Sequence, residues 1–111
     1  MDKRYTALGT SMLVLKLLEE KDMYGYQIIR ELEQRSQKVF SLQEGTLYPV
    51  LHSLEQQGAL NSYQQTAENG RSRKYYAITR SGRKLLKEKT DEWMGYQQAV
   101  NGILGGVLFD G

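Results

Sequence analysis

A fifteen-residue stretch from Thr46 to Leu60, TLYPVLHSLEQQGAL, constrains the fold of this chain more than any other segment. Its apolar side chains recur at intervals of three and four residues, which is the spacing of one buried helix face. These residues are Leu47, Val50, Leu51 and Leu54. Gly58 follows them, and a glycine at this point commonly ends a helix. The stretch therefore predicts an amphipathic helix.

The opposite face of this predicted helix carries small, hydroxyl and aromatic groups. They are Gly45, Thr46, Tyr48, Pro49, His52 and Ser53, and no acidic residue follows Gly45 until Glu55. A solvated helix face usually consists of Lys, Glu and other charged residues. A face of short donors without negative charge can instead lie in the major groove of DNA and reach phosphates and base edges.

Two signals disagree about where this helix begins. Ser41 and Glu44 have the spacing of a capping box, which predicts a start near residue 42. Pro49 is tolerated only in a first turn, which predicts a start near residue 45. We expect the helix to begin between 42 and 45 and to end near 57, with any bend at Pro49.

Four other elements follow from periodicity and turn signals. We expect a first helix over residues 4–20 and a second over 23–36, with Asp22 as the N-cap of the second. Strands are predicted at 60–66 and 74–79, joined by a tight turn at Asn69-Gly70 in which both residues take positive φ. Thr79 is expected to cap a last helix that starts near residue 80.

The order helix, helix, helix, strand, strand, helix is that of a winged helix-turn-helix. We therefore predict a mainly α fold with a two-stranded β wing, in the α+β class. The 111 residues form a single domain in this prediction. Residues 5–79 are the winged helix-turn-helix, and residues 80–111 are a C-terminal dimerisation helix with a tail that frays after about residue 104, because glycines weaken it.

Apolar residues of the last helix follow a heptad pattern. Leu86, Trp93, Val100 and Val107 fall at position a, and Lys89, Tyr96 and Ile103 fall at position d. Because one short chain buries little apolar surface, we expect a two-fold dimer through the first and last helices. The expected interface residues are Leu8, Met12, Leu15, Leu86, Trp93, Tyr96, Val100 and Ile103. The alternative is that the last helix folds back onto its own domain.

Positive charge is concentrated in the chain after the third helix, which is the predicted recognition helix. Residues 71–89 hold eight Lys and Arg against one acid, Glu88, although the whole chain has a net charge of only +2. A solvated helix face with a basic turn is one interpretation. A patch that contacts phosphates is the other, and its position in the chain favours it.

The composition argues against several other classes of protein. There is no cysteine and only one histidine, so we expect no disulfide, no metal site and no cofactor. A Gly-rich phosphate loop and paired catalytic carboxylates are absent from the sequence, so an enzyme is not expected. No apolar run approaches about 18 residues, so we expect no membrane association and a cytoplasmic location.

Several motifs together resemble those of the PadR family of transcriptional regulators. They are Tyr24-Gly25-Tyr26, Gly45-Thr46-Leu47-Tyr48-Pro49-Val50-Leu51, Leu54-Glu55 with Gly58, Gly70-Arg71-Ser72-Arg73-Lys74-Tyr75-Tyr76, and Thr79 with Gly82. The similarity runs over residues 5–95, and the single short terminal helix resembles the smaller subfamily. The resemblance implies a dimeric repressor that binds an inverted-repeat operator in double-stranded DNA and is released by small aromatic compounds, such as phenolic acids or drugs.

The resemblance also suggests where an effector would bind. In drug-responsive relatives a tryptophan on the last helix stacks on flat ligands at the dimer centre, and Trp93, with Tyr96 beside it, is in a matching position. The alternative is that Trp93 only packs in the dimer. The glycine-rich tail departs from the family pattern.

We expect DNA contacts from the start of the second helix, the recognition helix and the wing. The candidate residues are Tyr24, Tyr26, Gly45, Thr46, Tyr48, Pro49, His52, Arg71, Arg73 and Lys74. The alternatives are that the first two tyrosines belong to the core and that His52 takes no part. At the level of function, the alternatives are a winged-helix protein-interaction module and a DNA-binding regulator that needs no ligand.

Overall fold

The computed structural model describes the backbone of residues 3–109 and the side chains of residues 9–105. The elements are α1 (Lys3–Glu20), β1 (Met23–Tyr24), α2 (Gly25–Arg35), α3 (Glu44–Gln56), β2 (Leu60–Thr66), β3 (Ser72–Ile78) and α4 (Arg80–Phe109). The mainly helical fold with a β wing is confirmed. Helix α4 continues to Phe109, and the fraying expected after about residue 104 stays a prediction. Helix propagation is cooperative, so a long helix can include glycines that would weaken a short one.

The sheet has three strands in the order β1-β3-β2, all antiparallel, rather than the two that were predicted. The additional strand is Met23–Tyr24, which pairs with Tyr76 and Tyr75 of β3. The prediction placed these two residues in the second helix. Their pairing with a strand some fifty residues later cannot be read from local periodicity.

The prediction that Asp22 caps the second helix is also wrong. The N-cap of α2 is Tyr24, whose backbone is extended and whose N–H donates to Gln27 Oε1 at 3.2 Å. The carboxylate of Asp22 accepts a hydrogen bond from the hydroxyl of Tyr63 in β2, with 2.7 Å between the oxygens. Asp22 therefore connects the start of α2 to the wing.

Helix α3 begins at Glu44, within the predicted interval, and ends at Gln56. The predicted capping box is not formed, because the N-cap of α3 is Gln43, and the hydroxyl of Ser41 donates to Glu33 Oε2 at 3.2 Å. Pro49 lies inside α3. Since proline has no N–H, the carbonyl of Gly45 has no donor four residues later along the helix.

The core lies between α1, α2, α3, the sheet and the first turns of α4. It consists of Val14, Leu15, Leu17, Leu18, Met23, Ile28, Leu32, Leu47, Leu51, Leu54, Ala59, Leu60, Tyr76 and Leu86. Two residues of the predicted dimer interface belong to this set, since Leu15 is 0% exposed and Leu86 is 6% exposed. Their side chains pack within the protomer and are not available to a partner. Leu8 lies outside the described side chains.

The junction between α3, β2 and α4 confirms Thr79 as the cap of the last helix. Its hydroxyl accepts from the N–H of Gly82 at 3.0 Å and donates to the carbonyl of Gly58 at 2.6 Å. The N–H of Thr79 donates to the carbonyl of Ala59 at 3.0 Å. A Cβ on Gly82 would overlap that same Ala59 carbonyl oxygen. Only glycine therefore allows α4 to start this close to the backbone before β2.

Helix α4 extends well beyond the rest of the domain. The molecule measures 56 × 28 × 24 Å, and its radius of gyration is 16.0 Å, whereas a compact domain of this length has one of about 13 Å. The 30 residues of α4 account for about 45 Å of length. Its distal part exposes large apolar side chains, namely Met94, Tyr96, Ile103 and Leu104.

Candidate nucleic-acid interface

The two faces of α3 differ in burial as its periodicity predicted. Leu47, Leu51 and Leu54 are buried, and Val50 is half-buried against the core. The five predicted contact residues on this helix are all exposed: Gly45, Thr46, Tyr48, Pro49 and His52. The first three turns of α3 thus expose the hydroxyl of Thr46, the phenol of Tyr48, the imidazole of His52 and the backbone at Gly45.

Gly45 is surrounded by open space. A Cβ built on it would meet no atom within 4 Å, and its φ is not positive, unlike that of Gly58 and Gly70. Nothing in the chain itself therefore requires glycine at this position. Glycine in a helix costs stability relative to alanine, so Gly45 is not explained by the packing of the protomer.

Tyr48 links α3 to the first residue of α2. It is 44% exposed, and a Cβ on Gly25 would lie 2.7 Å from the Tyr48 hydroxyl oxygen. Partial burial raises the pKa of Tyr48, and the negative charge of Glu44 and the proximity of Tyr76 raise it further. The phenol therefore stays protonated at neutral pH and can donate a hydrogen bond.

Tyr24 and Tyr26 stand at the start of α2, beside this contact, and neither belongs to the core. Tyr26 is 53% exposed. Its hydroxyl accepts from Arg30 Nη1 at 3.4 Å, and the guanidinium carbon lies 5.8 Å from the ring centroid. This hydrogen bond raises the pKa of Arg30. Tyr24 is half-buried by contacts with the wing.

The three predicted cations of the wing lie in three different settings. Arg71 is exposed in the turn, and its N–H donates to Asn69 Oδ1 at 3.0 Å. Arg73 lies over the ring of Tyr24, with 4.3 Å from the guanidinium carbon to the ring centroid. The ammonium of Lys74 lies 3.8 Å from Glu55 Oε1 of α3. The cations therefore do not form one uniform basic edge.

The turn of the wing differs from the predicted two-residue type. The N–H of Ala67 donates to the carbonyl of Arg71 at 2.7 Å, so three residues lie between the closing pair. Gly70 has a φ of 84°, but Asn69 does not have a positive φ. This is the usual form of a three-residue hairpin loop, in which only the last position needs glycine.

Sequence reasoning missed the contacts that attach the wing to the helices. Glu55 accepts a hydrogen bond from the hydroxyl of Ser62 and also faces Lys74. The hydroxyl of Tyr63 donates a hydrogen bond to the carboxylate of Asp22, and the ring of Tyr63 stacks on that of Tyr75 with 5.7 Å between the centroids. The available signal was the alternation of side chains along β2 and β3, which places Tyr63 and Tyr75 away from the core.

Helix α4 brings the two predicted effector residues together. The rings of Trp93 and Tyr96 are stacked, with centroids 5.9 Å apart and planes at 30°. Trp93 is half-buried, and Tyr96 is 63% exposed. Val100 is half-buried and Ile103 is 87% exposed, further along the same predicted seam. Met12 of α1 is half-buried against the core.

The described part of the chain offers neither a metal centre nor a membrane span. Among those residues, no group of three or more His, Cys, Asp or Glu side chains could hold a metal ion. The helices in the same part of the chain include none with the length and apolarity needed to cross a membrane.

Comparison with known proteins relates this geometry to a family. Residues 14–88 match the family described as the transcriptional regulator PadR-like family. The chain belongs to this family. It is 32% identical over 104 residues to the transcriptional regulator Rv3488 of Mycobacterium tuberculosis, an alignment that covers 94% of this chain and 91% of that protein. The family and this relative are transcriptional regulators and not enzymes, as predicted.

Solved structures agree in fold. A transcriptional regulator from Clostridium thermocellum superposes with a TM-score of 0.83 at 30% identity, covering 92% of this chain and 96% of that one. A PadR family transcription regulator from Clostridium difficile superposes with a TM-score of 0.72 at 34% identity, covering 86% and 97%. The predicted membership of the PadR family and the winged-helix class are therefore confirmed.

Proposed function

We propose that this PadR-like regulator is a homodimeric repressor that binds an inverted-repeat operator and is released by a small, flat aromatic ligand. The observation that carries the proposal is the exposed face of α3, which presents Thr46, Tyr48 and His52 together with Gly45, a glycine that the fold itself does not require. A helix with such a face fits a major groove, because little side-chain bulk separates its backbone from the bases. A cytoplasmic location belongs to the same proposal, because a regulator must share the compartment of its operator.

Charge and geometry around α3 support DNA as the partner. Tyr26 and Tyr48 place phenol groups beside the start of α2, where main-chain N–H groups favour phosphate. Arg71 is exposed in the turn of the wing. A module that bound only proteins would have no need for the concentration of cations in residues 71–89.

The salt dependence of binding to duplex DNA tests this part of the proposal. The protein is titrated into labelled DNA from upstream of its own gene and into a scrambled duplex, with fluorescence anisotropy as the readout. A dimer that makes about 6–10 phosphate contacts should lose about 10³- to 10⁵-fold in affinity between 50 and 200 mM salt. Arg71→Ala should weaken binding to both duplexes. Affinity that does not change with salt, or no binding to either duplex, would contradict a DNA-binding role.

The apolar surface of α4 supports a homodimer. Met94, Tyr96, Ile103 and Leu104 are exposed on a helix that extends beyond the domain. An exposed apolar surface on a protruding helix is typical of a protein interface, and a second copy would bring the same surface to meet it across a two-fold axis. The operator would then consist of two half-sites about one DNA turn apart.

Analytical ultracentrifugation of Ile103→Glu tests the dimer. Ile103 is 87% exposed, so the change should not affect folding of the protomer, and it should shift the protein toward monomer because a carboxylate would be buried at the interface. Gln98→Glu is the matched control, since Gln98 is exposed on the same helix but away from the predicted seam. If both variants sediment as the wild type does, the seam is assigned wrongly.

The stacked pair of Trp93 and Tyr96 supports an aromatic effector. Two such pairs near a dimer axis would offer parallel aromatic faces to a flat molecule. A ligand releases DNA only if it binds the DNA-incompetent arrangement of the dimer more tightly than the competent one. The rival, a regulator that needs no ligand, predicts an operator affinity that planar aromatic compounds leave unchanged.

A further inference from the structure

Three tyrosines form a continuous row across the outer face of the wing sheet. Tyr24 of β1 and Tyr63 of β2 are both paired with Tyr75 of the central strand β3. The rings of Tyr24 and Tyr75 meet edge to face at 5.4 Å, and those of Tyr63 and Tyr75 stack at 5.7 Å. Directly opposed aromatic pairs stabilise antiparallel strands. The row therefore joins a strand of only two residues to the hairpin.

Both ends of the row carry a polar contact. At one end, the hydroxyl of Tyr63 donates to the carboxylate of Asp22 at 2.7 Å, across 41 residues of sequence. At the other end, the guanidinium of Arg73 lies 4.3 Å from the ring centroid of Tyr24. Arg73 is two residues before Tyr75 on β3, so it shares the same face of the sheet.

The position of Arg73 sets it apart from the other wing cations. Its side chain is only half-buried and rests on Tyr24, the residue that caps α2. The charge is therefore held beside the first turn of α2 and not at the tip of the hairpin. A guanidinium held over an aromatic ring loses less conformational freedom when it then binds a phosphate.

We propose that Tyr24 is a positioning residue for Arg73, and that the row Tyr24–Tyr75–Tyr63 fixes the wing so that this guanidinium reaches a DNA phosphate beside the start of α2. The inference rests on the proposed DNA-binding function. In this inference, the ring of Tyr24 contributes to DNA binding by holding Arg73 in place. The Tyr24 hydroxyl does not itself bind DNA.

A double-mutant cycle between Tyr24 and Arg73 tests this inference. Operator affinity is measured for wild type, Tyr24→Leu, Arg73→Ala and the double variant, with thermal unfolding recorded for each. Tyr24→Leu should weaken binding about two- to fivefold, the range of a cation–π contact at a partly exposed site. In the Arg73→Ala background the same change should have no further effect. Arg73→Ala should also lower the slope of log affinity against log salt by about 0.9 for each phosphate that the protein no longer neutralises.

Two conservative variants separate positioning from other roles. Tyr24→Phe keeps the ring and should bind within twofold of wild type, whereas Arg73→Lys keeps the charge but loses the planar stack and should weaken binding as Tyr24→Leu does. Arg73→Lys also covers the case in which Tyr24→Leu does not fold. Tyr26→Leu is the matched control, since Tyr26 contacts Arg30 and not Arg73. The fold-loss in operator affinity from Tyr26→Leu should multiply with the fold-loss from Arg73→Ala.

The outcomes also distinguish this inference from the proposed function. If wild type binds the operator but the effects of Tyr24→Leu and Arg73→Ala multiply, the two residues act separately and the inference fails alone. Full affinity of Arg73→Lys, or a loss in Tyr24→Phe as large as in Tyr24→Leu, overturns it as well. If wild type binds no duplex DNA, the proposed function fails and the inference fails with it.

Discussion

Gly45→Ala should change stability and DNA affinity in opposite directions. Gly45 is the second residue of α3, is exposed, and has a φ outside the range that requires glycine. Because a Cβ there meets no atom within 4 Å, alanine adds no clash and removes the entropic cost of glycine in a helix. That cost is about 0.5–1 kcal/mol, which corresponds to a rise in Tm of roughly 2–6 °C for a chain of this size.

The same methyl group should weaken binding to the operator. If the backbone of α3 approaches DNA at Gly45, the added Cβ would lie between that backbone and the DNA and keep them further apart. The expected loss is about 1–3 kcal/mol, which is typical of one disrupted contact in a protein–DNA interface. This equals about a five- to 150-fold decrease in affinity, which anisotropy measures at one fixed salt concentration.

Gly95→Ala is the matched control for this prediction. Gly95 is also an exposed helical glycine with open space around it, but it lies on α4, away from α3 and off the predicted dimer seam. Gly95→Ala should raise Tm by a similar amount and leave operator affinity unchanged. A fall in the Tm of Gly45→Ala would refute the reasoning about its surroundings. A higher Tm with wild-type affinity would show that α3 does not approach DNA at this residue.

Three further predictions concern other glycine, tyrosine and tryptophan positions. Gly82→Ala should lower the free energy of unfolding by about 1–3 kcal/mol, because its Cβ would overlap a backbone carbonyl that cannot rotate away; a Tm equal to that of wild type in calorimetry would contradict this. Tyr48→Phe should keep the packing of the ring and the Tm but bind operator at least about fivefold more weakly if the hydroxyl contacts DNA, so equal affinity would limit Tyr48 to a packing role. Planar aromatic compounds should quench the fluorescence of Trp93, the only tryptophan, and weaken operator binding together. Quenching with no change in affinity would make that site incidental to regulation.

Patterns that depend on near neighbours in the chain could be predicted from the sequence. The spacing of Leu47, Leu51 and Leu54 predicted the buried face of α3, and all three are at most 1% exposed. Thr79 was predicted as a cap from its place before a helical pattern, and its hydroxyl does accept from Gly82. Helix faces and caps involve residues within about four positions of each other, so the sequence alone contains the information needed.

Competing local signals were the first place where prediction failed. The spacing of Ser41 and Glu44 matched a capping box, but Ser41 instead donates to Glu33 of the preceding helix. Asp22 is a good N-cap by residue type, but its carboxylate binds Tyr63 of the wing. A side chain with two possible partners takes the one that the rest of the fold brings within reach, and local spacing does not reveal it.

The sequence by itself determined the four helices, the two strands of the hairpin, the two faces of α3 and the membership of the PadR-like family, because motifs and periodicities are properties of the chain. Only the tertiary structure decided how those elements work together. It buried Leu15 and Leu86 in the protomer, paired Met23 and Tyr24 with β3, and laid Arg73 on Tyr24. The contacts of Met23 and Tyr24 with β3 and of Arg73 with Tyr24 join residues about fifty positions apart in the chain. Strand register and helix packing set such contacts, and each becomes defined only when the whole chain has folded.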